Sequence, residues 1–81
     1  MPAYLTRKAE LNLRGLSKDI QKRIAKKMSF FEEQENPLTF AKKLTGRNDY
    51  CFRVGDYRIL FLIKNEQILI TKIERRDKVY E

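Results

Sequence analysis

Arg53 and Arg58 flank a two-residue break, Gly55-Asp56, between two runs of β-forming residues, Tyr50 to Val54 and Tyr57 to Lys64. Glycine at the first central position is what a type II′ hairpin turn requires. Counting outward from such a turn, Val54 faces Tyr57, and Arg53 faces Arg58 on the same side of the sheet. Like charges directly opposite one another destabilise a strand pair. The arrangement therefore calls for an anion, and two adjacent guanidinium forks suit a phosphate. Lys42, Lys43 and Arg47 lie near this hairpin in sequence and can add contacts to the phosphates of a nucleic acid.

A second turn at Asn65-Glu66 extends the argument. If Lys64 pairs with Gln67, then Leu60 pairs with Thr71 and Arg58 with Ile73. Arg75 then emerges on the face that carries Arg53 and Arg58, and a one-residue slip would move it to the other face. On this count three arginines converge at one end of the sheet. Below them Leu60, Leu62, Leu69 and Ile73 leave an apolar strip of the kind a partner protein covers, with an amphipathic helix or an added strand.

These cations must be positioned by a small fold. The chain has 81 residues and one hydrophobic core's worth of apolar side chains, so residues 1–81 form a single domain. A short extended start at residues 3–6 precedes a helix over residues 7–15, which Gly15 terminates. Ser17 is an N-cap for a second helix, in which Ile20, Ile24, Met28 and Phe31 recur at helical spacing. That helix runs to about Glu35, where Asn36-Pro37 stops it. Its opposite face carries Lys22, Arg23, Lys26 and Lys27, read first as a solvated face, with contact to RNA as the alternative. Phe40 to Leu44 is expected to add another helical turn, ended by Gly46. From Asp49 the period becomes two, with Tyr50, Phe52, Tyr57, Ile59, Phe61 and Ile63 as the core face. Gln67 to Glu74 is a third strand, and Val79-Tyr80 a short final stretch. The fold class is α+β, with N-terminal helices on one face of an antiparallel β-sheet.

Composition narrows the chemistry. Lys and Arg outnumber Asp and Glu by 18 to 11, a net charge of +7. The excess is spread out, with eight cations against five acids in residues 1–40 and ten against six in residues 41–81. It points to a polyanion or an acidic protein partner, against the alternative of a merely solubilising surface. The absence of histidine excludes Ser–His and Cys–His nucleophilic chemistry and imidazole acid–base catalysis. With Cys51 as the single cysteine, no metal site and no cofactor is expected, and Cys51 reads as a reduced packing residue. No signal peptide or membrane span is expected, which suits a cytoplasmic protein.

Taken in order, Leu44-Thr45-Gly46, Tyr50-Cys51-Phe52-Arg53-Val54-Gly55-Asp56-Tyr57-Arg58 and Ile73-Glu74-Arg75-Arg76-Asp77-Lys78-Val79-Tyr80 resemble the signature of the RelE/ParE superfamily of toxins from type II toxin–antitoxin systems. Residues 16–24, in the helical half, are also similar. The resemblance implies a microbial-ribonuclease-like fold and a neutralising, usually acidic, RelB-like antitoxin. For the RelE branch it implies mRNA cleavage in the ribosomal A site by attack of a ribose 2′-OH on the adjacent phosphate. Carried over, Arg58 and Arg75 would contact the scissile phosphate and Arg53 would take a basic position on the preceding strand. Tyr80 would stack on a base or help activate the 2′-OH, and Arg76 would add an RNA contact. The antitoxin would cover Leu60, Leu62 and Leu69. Two positions depart from the pattern: Cys51 stands at a usually basic position, and Glu74 where many members have histidine.

That chemistry needs a base at the 2′-OH, stabilisation of the charged phosphorane, and an acid at the leaving 5′-oxygen. Arginine supplies the second function but is a poor acid, with a pKa above about 12. Tyrosine, with a reference pKa near 10, becomes a usable base only where neighbouring cations such as Arg75 and Arg76 lower it. Such a site is slow on free RNA. Positioning on the ribosome can supply the difference, since orientation is worth about 7–11 kcal/mol. The alternatives are a ParE-type inhibitor of DNA gyrase and a silent homologue that only binds antitoxin or RNA.

Overall fold

Two hydroxyl caps start the helical half. The computed structural model describes residues 1–44, 46 and 48–75, so Arg47, Arg76, Val79 and Tyr80 lie outside the described residues. Thr6 accepts a hydrogen bond from the Ala9 N–H at 3.2 Å and opens helix α1, Arg7–Arg14. Ser17 does the same for Ile20 at 3.3 Å and opens α2, Lys18–Glu33. These side-chain acceptors satisfy amides that the first turn of a helix leaves unpaired. α2 ends two residues before the expected Glu35, with Gln34 already extended.

The helical turn expected at Phe40 to Leu44 lies earlier, as a 3₁₀ turn over Pro37–Phe40. Asn36 caps it by accepting from the Leu38 N–H at 3.2 Å, and Pro37 presets the first φ angle. Lys42–Lys43 is instead a short strand, β2, at the sheet edge. The remaining strands are β1 (Ala3–Leu5), β3 (Tyr50–Val54), β4 (Tyr57–Lys64) and β5 (Gln67–Arg75).

The five strands lie in the order β1-β5-β4-β3-β2. β1 runs parallel to β5 and the other pairs are antiparallel, so the sheet is mixed. Both hairpins have the expected two-residue loops. Gly55 has φ +59°, and Asn65 and Glu66 have φ +54° and +59°, the signs of the two primed turns whose twist matches paired strands.

The core lies between the helices and one sheet face. Ile24 and Phe31 from α2 and Ala9 from α1 pack with Phe52, Ile59, Phe61, Ile68, Ile70 and Ile73. The expected core face is observed, with Phe52, Ile59 and Phe61 buried and Tyr50, Tyr57 and Ile63 half-buried.

The β4–β5 register departs from simple counting. From Lys64–Gln67 it proceeds as expected to Phe61–Ile70, but Leu60 then pairs with Lys72 and Arg58 with Glu74. Thr71 is an extra residue on β5, a β-bulge, which shifts everything beyond it by one. Contacts from far away in sequence hold this region. The Thr6 N–H donates to Ile70 O at 2.9 Å, the Thr6 hydroxyl donates to Thr71 O at 3.4 Å, and Asn12 Oδ1 accepts from the Ile73 N–H at 3.1 Å. β1 ends at Leu5, so α1 takes over the edge of β5 and Asn12 satisfies an amide with no strand beside it.

Candidate nucleic-acid interface

The first hairpin sets Arg53 and Arg58 directly opposite one another, on the face turned away from the helical core. Arg53 is exposed and Arg58 half-buried. The repulsion between them is answered from within the chain. The bulge brings Glu74, not Ile73, opposite Arg58, and Arg58 Nη2 lies 3.0 Å from Glu74 Oε2. The other carboxylate oxygen of Glu74 is 3.0 Å from Lys72 Nζ. Burial pushes the Glu74 carboxyl upward, but the Lys72 hydrogen bond and the charges of Lys72 and Arg58 outweigh it and hold it below its ordinary value. Arg58 Nε is buried without a hydrogen-bond partner among the described residues, so the guanidinium is only partly satisfied.

The same slip corrects three expectations. Arg75 pairs with Tyr57 and so lies on the helix-side face, away from Arg53 and Arg58. The convergence of three arginines reduces to two arginines and a glutamate. Ile73 also lies on the helix side, at 5% exposure, and so leaves the apolar strip. Leu60 stays on the outer face but is 2% exposed, leaving no surface to offer a partner. Leu62 and Leu69 remain half-buried and paired in register, with exposed Tyr4 next in line on β1. The strip is thus Tyr4-Leu69-Leu62, across three strands.

Cys51 sits beside Leu60 and is buried. Burial pushes its thiol above its ordinary value. Nearby Arg58 and Arg53 and a backbone hydrogen bond from Ile59 offset that only in part. It remains a protonated packing residue rather than a nucleophile.

Two adjoining clefts surround the hairpin. The larger, about 650 Å³, is lined by Lys27, Lys42, Lys43, Arg53 and Arg58 with Phe31, Phe40 and Cys51 among others. The second, about 520 Å³, is lined by Arg23, Lys26, Lys27, Phe30, Arg53, Val54 and Gly55. Lys27 and Arg53 border both, and among the described residues no acidic side chain lines either. A Cβ built on Gly55 would lie 3.7 Å from an Arg23 guanidinium nitrogen, so α2 reaches the hairpin turn. Arg23, Lys26 and Lys27 are therefore part of the basic surface rather than a separate solvated face. Lys27 Nζ also lies 5.4 Å from the Phe30 ring centre and 5.9 Å from that of Phe31. Sequence reasoning does not place Lys27, Phe30, Phe40 or the Arg58–Glu74 pair in the site. For Lys27 the signal is present, since Phe30 and Phe31 follow it at i+3 and i+4 on one helix face.

Among the described residues no cluster of histidine, cysteine or carboxylates could hold a metal ion, and no helix is long and apolar enough to cross a membrane. The arrangement can bind phosphate groups and can stabilise negative charge that develops on one.

Comparison with solved structures finds the same fold. The chain superposes on the RelB–RelE antitoxin–toxin complex from Methanococcus jannaschii with a TM-score of 0.75 and 23% identity, covering 94% of this chain and 93% of that one. For the toxin–antitoxin complex RelBE2 from Mycobacterium tuberculosis the values are 0.77 and 24%, with 93% and 96% covered. For the RelE–RelB complex from Pyrococcus horikoshii they are 0.75 and 25%, with 96% and 97% covered. No curated protein matches the chain. Residues 3–80 match the family model described as the ParE toxin of the type II toxin–antitoxin system parDE. Family match and fold agree: this chain is a toxin of a type II toxin–antitoxin system, belonging to the RelE/ParE superfamily.

Proposed function

We propose that this toxin is a ribosome-dependent endoribonuclease that cleaves mRNA in the A site and so arrests translation in the cytoplasm. The observation that carries this reading is the direct pairing of Arg53 with Arg58 in the wall of a cleft whose charged lining, among the described residues, is all cationic. Arg53 and Arg58 bind the scissile phosphate and stabilise the phosphorane formed when the 2′-OH attacks phosphorus. The bond to the 5′-oxygen breaks and that oxygen takes a proton from water, leaving a 2′,3′-cyclic phosphate and a 5′-hydroxyl. Lys42 and Lys43 hold neighbouring phosphates. Tyr80, aided by Arg76, is the proposed partner of the 2′-OH. Arg75, on the far face, has no part in this set. A RelB-type acidic antitoxin neutralises the protein by covering the strip at Leu62 and Leu69.

The test is cleavage of mRNA on programmed ribosomes by the wild type and by Arg58→Ala, with a ribosome-free control. Cleavage that requires both the ribosome and Arg58 is expected. A folded wild type that leaves mRNA intact would overturn the proposal. The family model, described as the ParE toxin, favours a second reading, inhibition of DNA gyrase. In that case supercoiling would be blocked in vitro, and Arg58→Ala would remain toxic.

A further inference from the structure

The hairpin offers cations, whereas the neighbouring end of α2 and the 3₁₀ turn that follows it offer aromatic rings. Phe30 and Phe40 are 39% and 48% exposed, unusual for rings of this size. Their centroids lie 5.2 Å apart, edge to face. Both rest against buried Phe31, at 5.6 and 6.1 Å, and Phe31 packs on Phe52 at 4.0 Å. The two exposed rings are therefore braced by the core. Phe40 lines the cleft that leads to Arg53 and Arg58, Phe30 lines the adjoining one, and the Lys27 ammonium stands between the clefts.

With cations around them and no acid among the described residues of either lining, these rings face an anionic occupant. Single-stranded nucleic acid meets both requirements, because cations track its phosphates while aromatic rings take its bases. We infer that Phe30 and Phe40, with Lys27 beside them, form a stacking platform for a nucleobase of single-stranded RNA that flanks the phosphate bound at Arg53 and Arg58. The inference rests on the RNA reading of the hairpin and extends it by giving the direction in which the strand runs, along α2.

The chain contains no tryptophan, so Phe40→Trp places a sole reporter in the platform. Titration with a short 2′-O-methyl oligoadenylate, which lacks the attacking hydroxyl, reads binding without ribosomes and without cleavage. The expected result is quenching of the introduced indole's fluorescence on binding. Phe30→Leu with Phe40→Leu is expected to bind about ten-fold more weakly with an unchanged salt slope, since stacking is lost and phosphate contacts remain. Lys27→Gln is expected to reduce the salt slope by about one. Unquenched fluorescence, or an affinity indifferent to the double leucine substitution while circular dichroism shows both variants folded, would overturn the inference. So would loss of antitoxin binding, but not of oligonucleotide binding, in the double variant. A wild type that cleaves on ribosomes yet never binds the oligonucleotide overturns the platform alone. Binding with quenching but no cleavage supports the platform and removes the endonuclease reading.

Discussion

Glu74 holds Arg58 through a 3.0 Å contact between Oε2 and Nη2, and it does so because one extra residue, Thr71, shifts β5 past β4. An intramolecular carboxylate thus occupies part of the arginine that best fits a phosphate. Any RNA phosphate binding there must share or displace it.

Stability should depend on pH through this pair. The folded Glu74 carboxyl lies below its ordinary value of 4.5. Its contribution is therefore fully present above that value and is lost as pH falls through the folded value. Glu74→Gln should unfold at a lower temperature than the wild type at pH 7, and the gap should close in more acidic solution. Thermal unfolding across that range measures it, and a constant gap would contradict the assignment.

Arg53 should be worth more to function than to stability. It is exposed and directly opposite Arg58. Replacing it with threonine removes a like-charge pair and keeps β propensity. Arg53→Thr is expected to gain about 0.2–1 kcal/mol of stability while losing most of the cleavage activity. A variant both less stable and fully active would reverse the roles given to this residue.

Asn12 should act on the site from the far side of the sheet. Its side chain accepts from the Ile73 N–H, and Ile73 is the residue before Glu74. Asn12→Ala leaves that amide unpaired and should cost about 1–3 kcal/mol. Hydrogen exchange at Ile73 should accelerate by more than the global loss of stability explains. Equal acceleration at every amide would show that Asn12 has no local hold on the register.

Antitoxin capture should depend on Leu62 and Leu69. Both are half-buried and paired in register, so charges there are tolerated better than at Leu60, where a glutamate would be buried in the sheet. Leu62→Glu with Leu69→Glu should abolish complex formation in a pull-down with the antitoxin while the toxin stays folded. Undiminished capture would place the interface elsewhere.

Much of this molecule is local and therefore readable along the chain. A Gly-Asp loop of two residues makes the Arg53–Arg58 pairing a matter of counting, because the side-chain period of a strand is two. Ser17 announces α2 because its hydroxyl needs only an amide three residues away. What the chain alone could not decide depends on contacts distant in sequence. The bulge at Thr71 is held by Thr6 and Asn12, roughly sixty residues earlier, and no local pattern on β5 announces it. That single residue exchanges Arg75 for Glu74 beside Arg58, and so converts an expected three-arginine cluster into an arginine pair with its own counter-charge. Tertiary packing also decided that the cations of α2 border the hairpin, since the angle at which a helix crosses a sheet comes from the side chains between them and not from the helix's own periodicity.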